Sequence, residues 1–249
     1  MQRLRGAQKS SKGAPFYSLY VNRPLGRVFA ALAYRIQMTP NQVTAVSAVF
    51  TFAAIALIAV MPTGPVTGPL VMIGLVLGYV LDSADGQLAR LRGGGSVTGE
   101  WLDHVIDSGK IVAIHLAVLI AWYRNYDLPA ALGGSVLLLI PIGLAIISVV
   151  HFFGMILNEQ LTRNKQLQAG VEPKPSGGSS PRWMSLAKLP TDYGLLCLVF
   201  VTLGFPSVFM ILYGLITLAN LGYLILVLPK WFRDMGRLDA LVPQSGRGR

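Results

Sequence analysis

Residues 42–61 read QVTAVSAVFTFAAIALIAVM, twenty residues without a charge. At the helical rise that stretch is about 30 Å long, the thickness of a bilayer's hydrocarbon core. Thr39 and Pro40 stand just before it as an N-cap and a first-turn proline, so the start of the helix is marked as well. The segment reads as a transmembrane helix. The rest of the chain agrees: 249 residues, 53% hydrophobic and 13% charged, with a mean hydropathy of +0.56. Soluble domains carry about 25% charged residues. The formal charge of +10 would suggest nucleic acid in a soluble protein. Here the basic residues avoid the apolar runs, so anionic lipids are the expected partner and nucleic acid is excluded. One cysteine, Cys197, permits no internal disulfide.

Five further runs are expected to span, over residues 66–81, 97–123, 129–157, 190–204 and 207–228. Pro141, Gly143 and Gly154 predict a kink in the fourth span, and Gly204-Phe205-Pro206 divides the fifth from the sixth. Residues 15–37 mix Phe16, Leu19, Tyr20, Leu25, Val28, Phe29 and Leu32 with Arg23, Arg27 and Arg35. That pattern predicts an amphipathic helix in the membrane interface. The expected fold is therefore an all-α integral membrane protein of six transmembrane helices with an N-terminal juxtamembrane amphipathic helix. Its parts are a basic tail over 1–14 that lacks the features of a signal peptide, the interfacial helix over 15–37, a catalytic domain over 38–230, and a second basic tail over 231–249. Of 21 Lys and Arg, 19 fall on one side of this arrangement, the other side receives Arg124, and Lys110 lies within a helix. Both termini and the 173–181 loop are thus expected in the cytoplasm.

Five of eleven acids lie between positions 82 and 107: Asp82, Asp85, Glu100, Asp103 and Asp107. Asp82 and Asp85 share one helix face, Asp103 and Asp107 another, and Gly93-Gly94-Gly95 predicts a turn folding the two helices into a hairpin. Four converging carboxylates would repel, and in a spanning helix they are costly. Hard divalent cations resolve both problems, and oxygen-only ligands favour Mg²⁺, Mn²⁺ or Ca²⁺ over zinc. Paired metals of this kind serve phosphoryl transfer. Small residues at Gly86 and Ala89 leave room for a nucleotide, and Arg90 one turn on suits a phosphate. Two other readings compete: acids merely paired with Arg90, Arg92 or Lys110, and a membrane cation transporter using the Asp cluster as its ion site.

The series Asp82-x2-Asp85-Gly86-x2-Ala89-Arg90-x8-Gly99-x3-Asp103-x3-Asp107 resembles the signature of the CDP-alcohol phosphotransferase family, with every fixed position and gap in agreement. The resemblance covers essentially residues 15–230. It implies transfer of a phospho-alcohol from a CDP-linked donor, CDP-diacylglycerol or a CDP-polyol, to the hydroxyl of an acceptor alcohol with release of CMP. It further implies that Asp82, Asp85, Asp103 and Asp107 hold two Mg²⁺ or Mn²⁺ ions, and that Asp107 is also the base for the acceptor hydroxyl. Gly86, Ala89, Arg90 and Gly99 would line the nucleotide site, and family analogy suggests a homodimer. The stretch Tyr20-Val-Asn-Arg-Pro-Leu-Gly26 resembles the branch that handles inositol phosphates.

Residues outside the signature carry alternatives. Asn41, in the segment Thr39-Pro-Asn-Gln-Val-Thr44, reaches the nucleotide or merely caps the first span. Lys110 pairs with an Asp or meets an acceptor's phosphate. Arg163 and Lys188 are acceptor candidates that ordinary positive-inside bias explains equally well. Asp192 is a weaker candidate for hydroxyl recognition. Glu100 and His104 read as structural, while His115 and His151 read as core.

Overall fold

The structure is a computed structural model and describes residues 15–130, 133–170 and 191–240. The tail over 1–14, residues 241–249 of the second tail, the 173–181 loop and Lys188 lie outside the described residues, while 231–240 of that second tail are helical. The described residues are helical throughout, joined by turns, with no strand among them. A π-helical turn, Ser18–Asn22, leads into α1, Arg23–Arg35. Then follow α2, Pro40–Val60, α3, Thr67–Leu91, and α4, Val97–Asn125. A 3-10 turn, Gly134–Leu138, precedes α5, Leu139–Gln168. The short α6, Tyr193–Val199, continues as a 3-10 turn to Thr202, and α7 is Pro206–Ala240. Five helices are long and apolar enough to cross a membrane: α2, α3, α4, α5 with its preceding turn, and α7. A multi-pass membrane protein follows.

Three helix ends depart from the sequence reading. The fourth span begins at a left-handed glycine pair, Gly133 (φ 102°) and Gly134 (φ 53°), and runs to Gln168 rather than 157. Pro141 therefore falls in the first turn of α5, where its missing N–H costs no internal bond. The space at Gly154 admits the Trp231 ring: a Cβ there would lie 2.8 Å from Cζ3. At the other end, α7 continues through Pro229 well past residue 228. The expected fifth span appears as only ten helical residues, Tyr193–Thr202.

α2 opens on a reciprocal capping box. Thr39 Oγ1 accepts from the Gln42 N–H at 3.2 Å, and Gln42 Oε1 accepts from the Thr39 N–H at 2.8 Å. Its buried face includes a small and polar strip (Thr44, Ser47, Thr51, Ala54) beside Val43, Ile55 and Ile58, and α3 meets that strip with Gly74 and Gly78. A Cβ on Gly74 would lie 2.9 Å from that of Ala54, and Ser47 Oγ donates to the Gly78 carbonyl at 2.8 Å. Small residues let the two backbones approach closely, as membrane helices require where no hydrophobic gain drives them together.

α1 has a face that periodicity of large residues did not reveal. Gly26, Ala30 and Ala33 are buried against Ala84 and Leu88 of α3, while Leu25, Val28 and Leu32 point outward and exposed. α6 runs beside α3. At one end Tyr193 packs edge-on to Tyr79, with ring centroids 5.1 Å apart. At the other, a Cβ on Gly68 would lie 2.6 Å from the Val201 carbonyl oxygen, and Gly204 abuts Gly64. The principal core surrounds Trp122, Phe200, Phe209 and Tyr213, near the end of α4 remote from the acids.

Candidate active site

The acids occupy the last turns of α3 and the first turns of α4. α3 stops because Gly93 and Gly94 take φ of 105° and 131°, conformations open to glycine but strained for other residues. The Ala89 carbonyl accepts from the N–H groups of both Arg92 and Gly94 at 3.1 and 3.0 Å, closing the turn. α4 restarts at Ser96, whose Oγ accepts from the Gly99 N–H at 3.0 Å. The expected hairpin is modified in one respect. α3 and α4 each pack chiefly on α2 rather than on one another, so their acidic ends border a common space.

Asp82, Asp103 and Asp107 converge: one carboxylate oxygen from each lies within 4.8 Å of the others. Asp85 is not a member of that trio. It is buried one turn further along, where Thr44 Oγ1 donates to its Oδ2 at 2.5 Å. Asp82 and Asp103 still act on it electrostatically. Lys110 reaches back into the trio, its Nζ donating to Asp82 Oδ1 at 2.8 Å and to Asp107 Oδ1 at 3.0 Å. Of the two roles weighed for Lys110, the structure has the pairing with aspartates. Three hard oxygen donors without His or Cys suit a divalent cation of the Mg²⁺ or Mn²⁺ type, with Asp85 beside them.

Of the remaining signature positions, Gly86 and Gly99 each meet a polar side chain. The Arg90 guanidinium folds back over Gly86, 3.4 Å from where a Cβ would stand. Gly99 lies against Asn41: a Cβ there would be 3.1 Å from Asn41 Oδ1. Asn41 and Gly99, read separately from the sequence, thus meet across α2 and α4.

Outlying candidates fall elsewhere. Glu100 accepts from Gln160 Nε2 at 2.9 Å and faces Arg163 at 3.8 Å, so Arg163 ties α5 to the start of α4. His104 lies 3.9 Å from Asp103 and edge-on to Phe152. His115 is core, bonded to the Tyr213 hydroxyl at 2.7 Å, and His151 stacks on Trp231. Asp192 caps two helices at once. Its Oδ1 accepts from the Gly194 N–H at 3.0 Å, and its Oδ2 accepts from the Ser18 N–H at 3.2 Å. Sequence reasoning missed Thr44 as the residue that orients Asp85. The signal was its position three residues after Asn41, on the same face of α2.

The sequence profile of the CDP-alcohol phosphatidyltransferase family matches residues 37–227. The chain belongs to this family. The matched region contains all four aspartates, Gly86, Ala89, Arg90, Gly99 and Asn41, and CDP-alcohol phosphatidyltransferases are metal-dependent, as the donor set found here suits. A curated relative, phosphatidylinositol phosphate synthase of Corynebacterium glutamicum, is 37% identical over 105 residues. That match covers 41% of this chain and 45% of the relative, so it spans less than half of either.

Proposed function

We propose that the protein transfers a phospho-alcohol from a CDP-linked donor to the hydroxyl of an acceptor alcohol, releasing CMP, in the synthesis of phospholipids or phosphodiester polyols. The observation that carries this is the convergence of Asp82, Asp103 and Asp107 beside Gly86, Arg90, Gly99 and Asn41 within the family match. Membership of a transferase family favours this reading over cation transport. In the reaction the acceptor oxygen bonds to the phosphorus bearing the alcohol, and the bond from that phosphorus to the CMP oxygen breaks. The acceptor proton passes to Asp107, and CMP leaves.

Asp82, Asp85, Asp103 and Asp107 would hold two Mg²⁺ or Mn²⁺ ions, which when bound offset the negative charge of the diphosphate and of the departing CMP. Thr44 keeps Asp85 oriented towards the site. Lys110 holds Asp82 and Asp107 in fixed relation across two helices, and its positive charge limits their repulsion. Gly86 and Gly99 leave the backbone open to the cytidine, Arg90 meets a phosphate, and Asn41 stands beside Gly99. The phosphate of a phosphorylated acceptor falls to Arg163 or Lys188, since Lys110 is engaged by Asp82 and Asp107.

Six crossings remain the better count. α6 with its 3-10 continuation runs from Tyr79, close to the acids, to the turn at Gly64 on the far side. The exposed Leu25, Val28 and Leu32 of α1 support its place in the interface among anionic lipids. With both termini and the site cytoplasmic, a cysteine introduced at Ser179 should resist a membrane-impermeant thiol reagent in intact cells; ready labelling would overturn this topology. The homodimer is carried over from the family alone.

CMP release from purified protein, with Mg²⁺ or Mn²⁺ and a panel of CDP-donors and alcohols, tests the function. The relative's name puts CDP-diacylglycerol with an inositol phosphate first in the panel. No CMP from any pair would sink the proposal.

A further inference from the structure

The first turn of α1 lies along α3 at Ser83 and Gln87, beside the face that carries Asp82. Gln87 Nε2 donates to the Arg23 carbonyl oxygen at 3.2 Å and to Ser83 Oγ at 3.1 Å. A Cβ on Gly26 would stand 2.8 Å from Gln87 Nε2 and 2.9 Å from Ser83 Oγ, so the two helices touch at this point. The Arg23 side chain interacts electrostatically with both Tyr79 and Arg90. Those residues are separated by about 16 Å along α3 at the helical rise. A group that acts on both lies beside the intervening turns, next to Ser83, Gly86 and Gln87. Positions 79, 82, 83, 86, 87 and 90 form one helix face, so Arg23 borders the side on which Asp82, Gly86 and Arg90 stand.

Packing has therefore set the Arg23 backbone beside Ser83 and Gln87, and the Arg23 and Arg90 charges repel one another there. Burial disfavours the charge on Arg23, lowering its pKa, with Tyr79 acting in the opposite sense. Next to it, Asn22 is 2% exposed with its side-chain oxygen unbonded, a polar atom that a ligand or solvent would satisfy. Like charges crowded together are stabilised by an anion between them. Two forked guanidinium groups match two neighbouring phosphates.

We propose that Arg23 is a second phosphate-binding residue of the donor site, acting with Arg90 on the diphosphate of the CDP-linked donor. The inference rests on the function proposed above and adds a residue from outside the signature. Because α1 has an exposed apolar face, an anionic lipid headgroup could offer Arg23 the same phosphate chemistry. The geometry favours the donor, since Gln87 holds the Arg23 backbone beside the turn that carries Gly86, within electrostatic reach of Arg90.

Titration calorimetry in neutral detergent with Mg²⁺ tests the proposal, using CDP and CMP as probes of the wild-type protein, Arg23→Gln, Arg23→Lys and Arg35→Gln. Arg23→Gln should weaken CDP by about ten-fold or more and CMP by clearly less, as expected for a lost charge-assisted phosphate contact. Arg23→Lys should recover part of the loss. Arg35→Gln, exposed on the same helix, should bind as wild type does. Unchanged CDP affinity in Arg23→Gln overturns the proposal, and so does an equal loss for CDP and CMP, which signals general damage. Retention of phosphatidylglycerol through purification is the second arm: a variant that keeps CDP affinity but loses this lipid assigns Arg23 to a headgroup and overturns the proposal. Wild-type protein that fails to bind CDP removes the functional reading, and the inference falls with it.

Discussion

The two ends of α4 are built on opposite principles. At its start, Asp103 and Asp107 face Asp82 across a space bordered by small residues, and Lys110 is drawn in to bridge two of the three. Towards its other end, Trp122 is fully buried among Tyr126, Phe209 and Tyr213, with ring centroids 5.6 to 6.4 Å from its own. Tyr126 adds a hydrogen bond from its hydroxyl to the Leu203 carbonyl at 2.8 Å. The acidic end is held by charge and offers a donor set that suits cations. The aromatic end is held by packing and carries no group suited to the chemistry. Stability and activity should therefore separate along a single helix.

Chelation should break the comparison most completely. Excess chelator should abolish CMP release, and Mg²⁺ or Mn²⁺ should restore it, with the thermal midpoint in detergent far less affected than activity. Full turnover in chelator would remove the metal site. Trp122→Ala should do the reverse, costing about 3–5 kcal/mol of stability by leaving a cavity, while turnover per folded molecule at low temperature stays near wild type. A rate loss there without a stability loss would show that the two ends are coupled.

Asp107→Asn keeps side-chain size but removes basicity, so CMP formation should fall by about 10²-fold or more, with donor affinity less changed. Asp82→Asn should weaken donor binding more directly. If both variants lose binding equally, Asp107 is a ligand and not the base. The smallest effect is expected from Thr44→Val, which leaves the buried Asp85 without its hydroxyl partner. A loss of about ten-fold in rate fits one buried hydrogen bond to a charged group. No change would mean that Asp85 is oriented by other contacts.

The contrast also governs what could be read without coordinates. The acidic end was legible because its logic is local: Asp82 with Asp85, Asp103 with Asp107 and Asp107 with Lys110 are all three or four residues apart. The spans were legible wherever twenty apolar residues run together. Thr44 was missed because its partner lies 41 residues away. Asp192 looked like a candidate for substrate because the amide of Ser18, 174 residues distant, leaves no local trace. The start of α5 was placed too early because the sequence from 129 is apolar enough to be helical, and only the backbone at Gly133 and Gly134 marks the break. The docking face of α1 escaped because Gly26, Ala30 and Ala33 carry almost no hydrophobic signal, yet smallness is what allows close approach.

The double cap at Asp192 has a consequence for biogenesis. Gly26, Ala30 and Ala33 find their partners on α3 once residue 91 has been made, so α1 can dock early. The π-helical turn that precedes it, Ser18–Asn22, cannot be secured then, because the carboxylate that receives the Ser18 amide is encoded 174 residues later. At roughly 5–20 residues per second, that turn waits about 9 to 35 seconds on the ribosome for its anchor. The entry to α1 is therefore completed late in synthesis, when Asp192 and α6 enter the bundle.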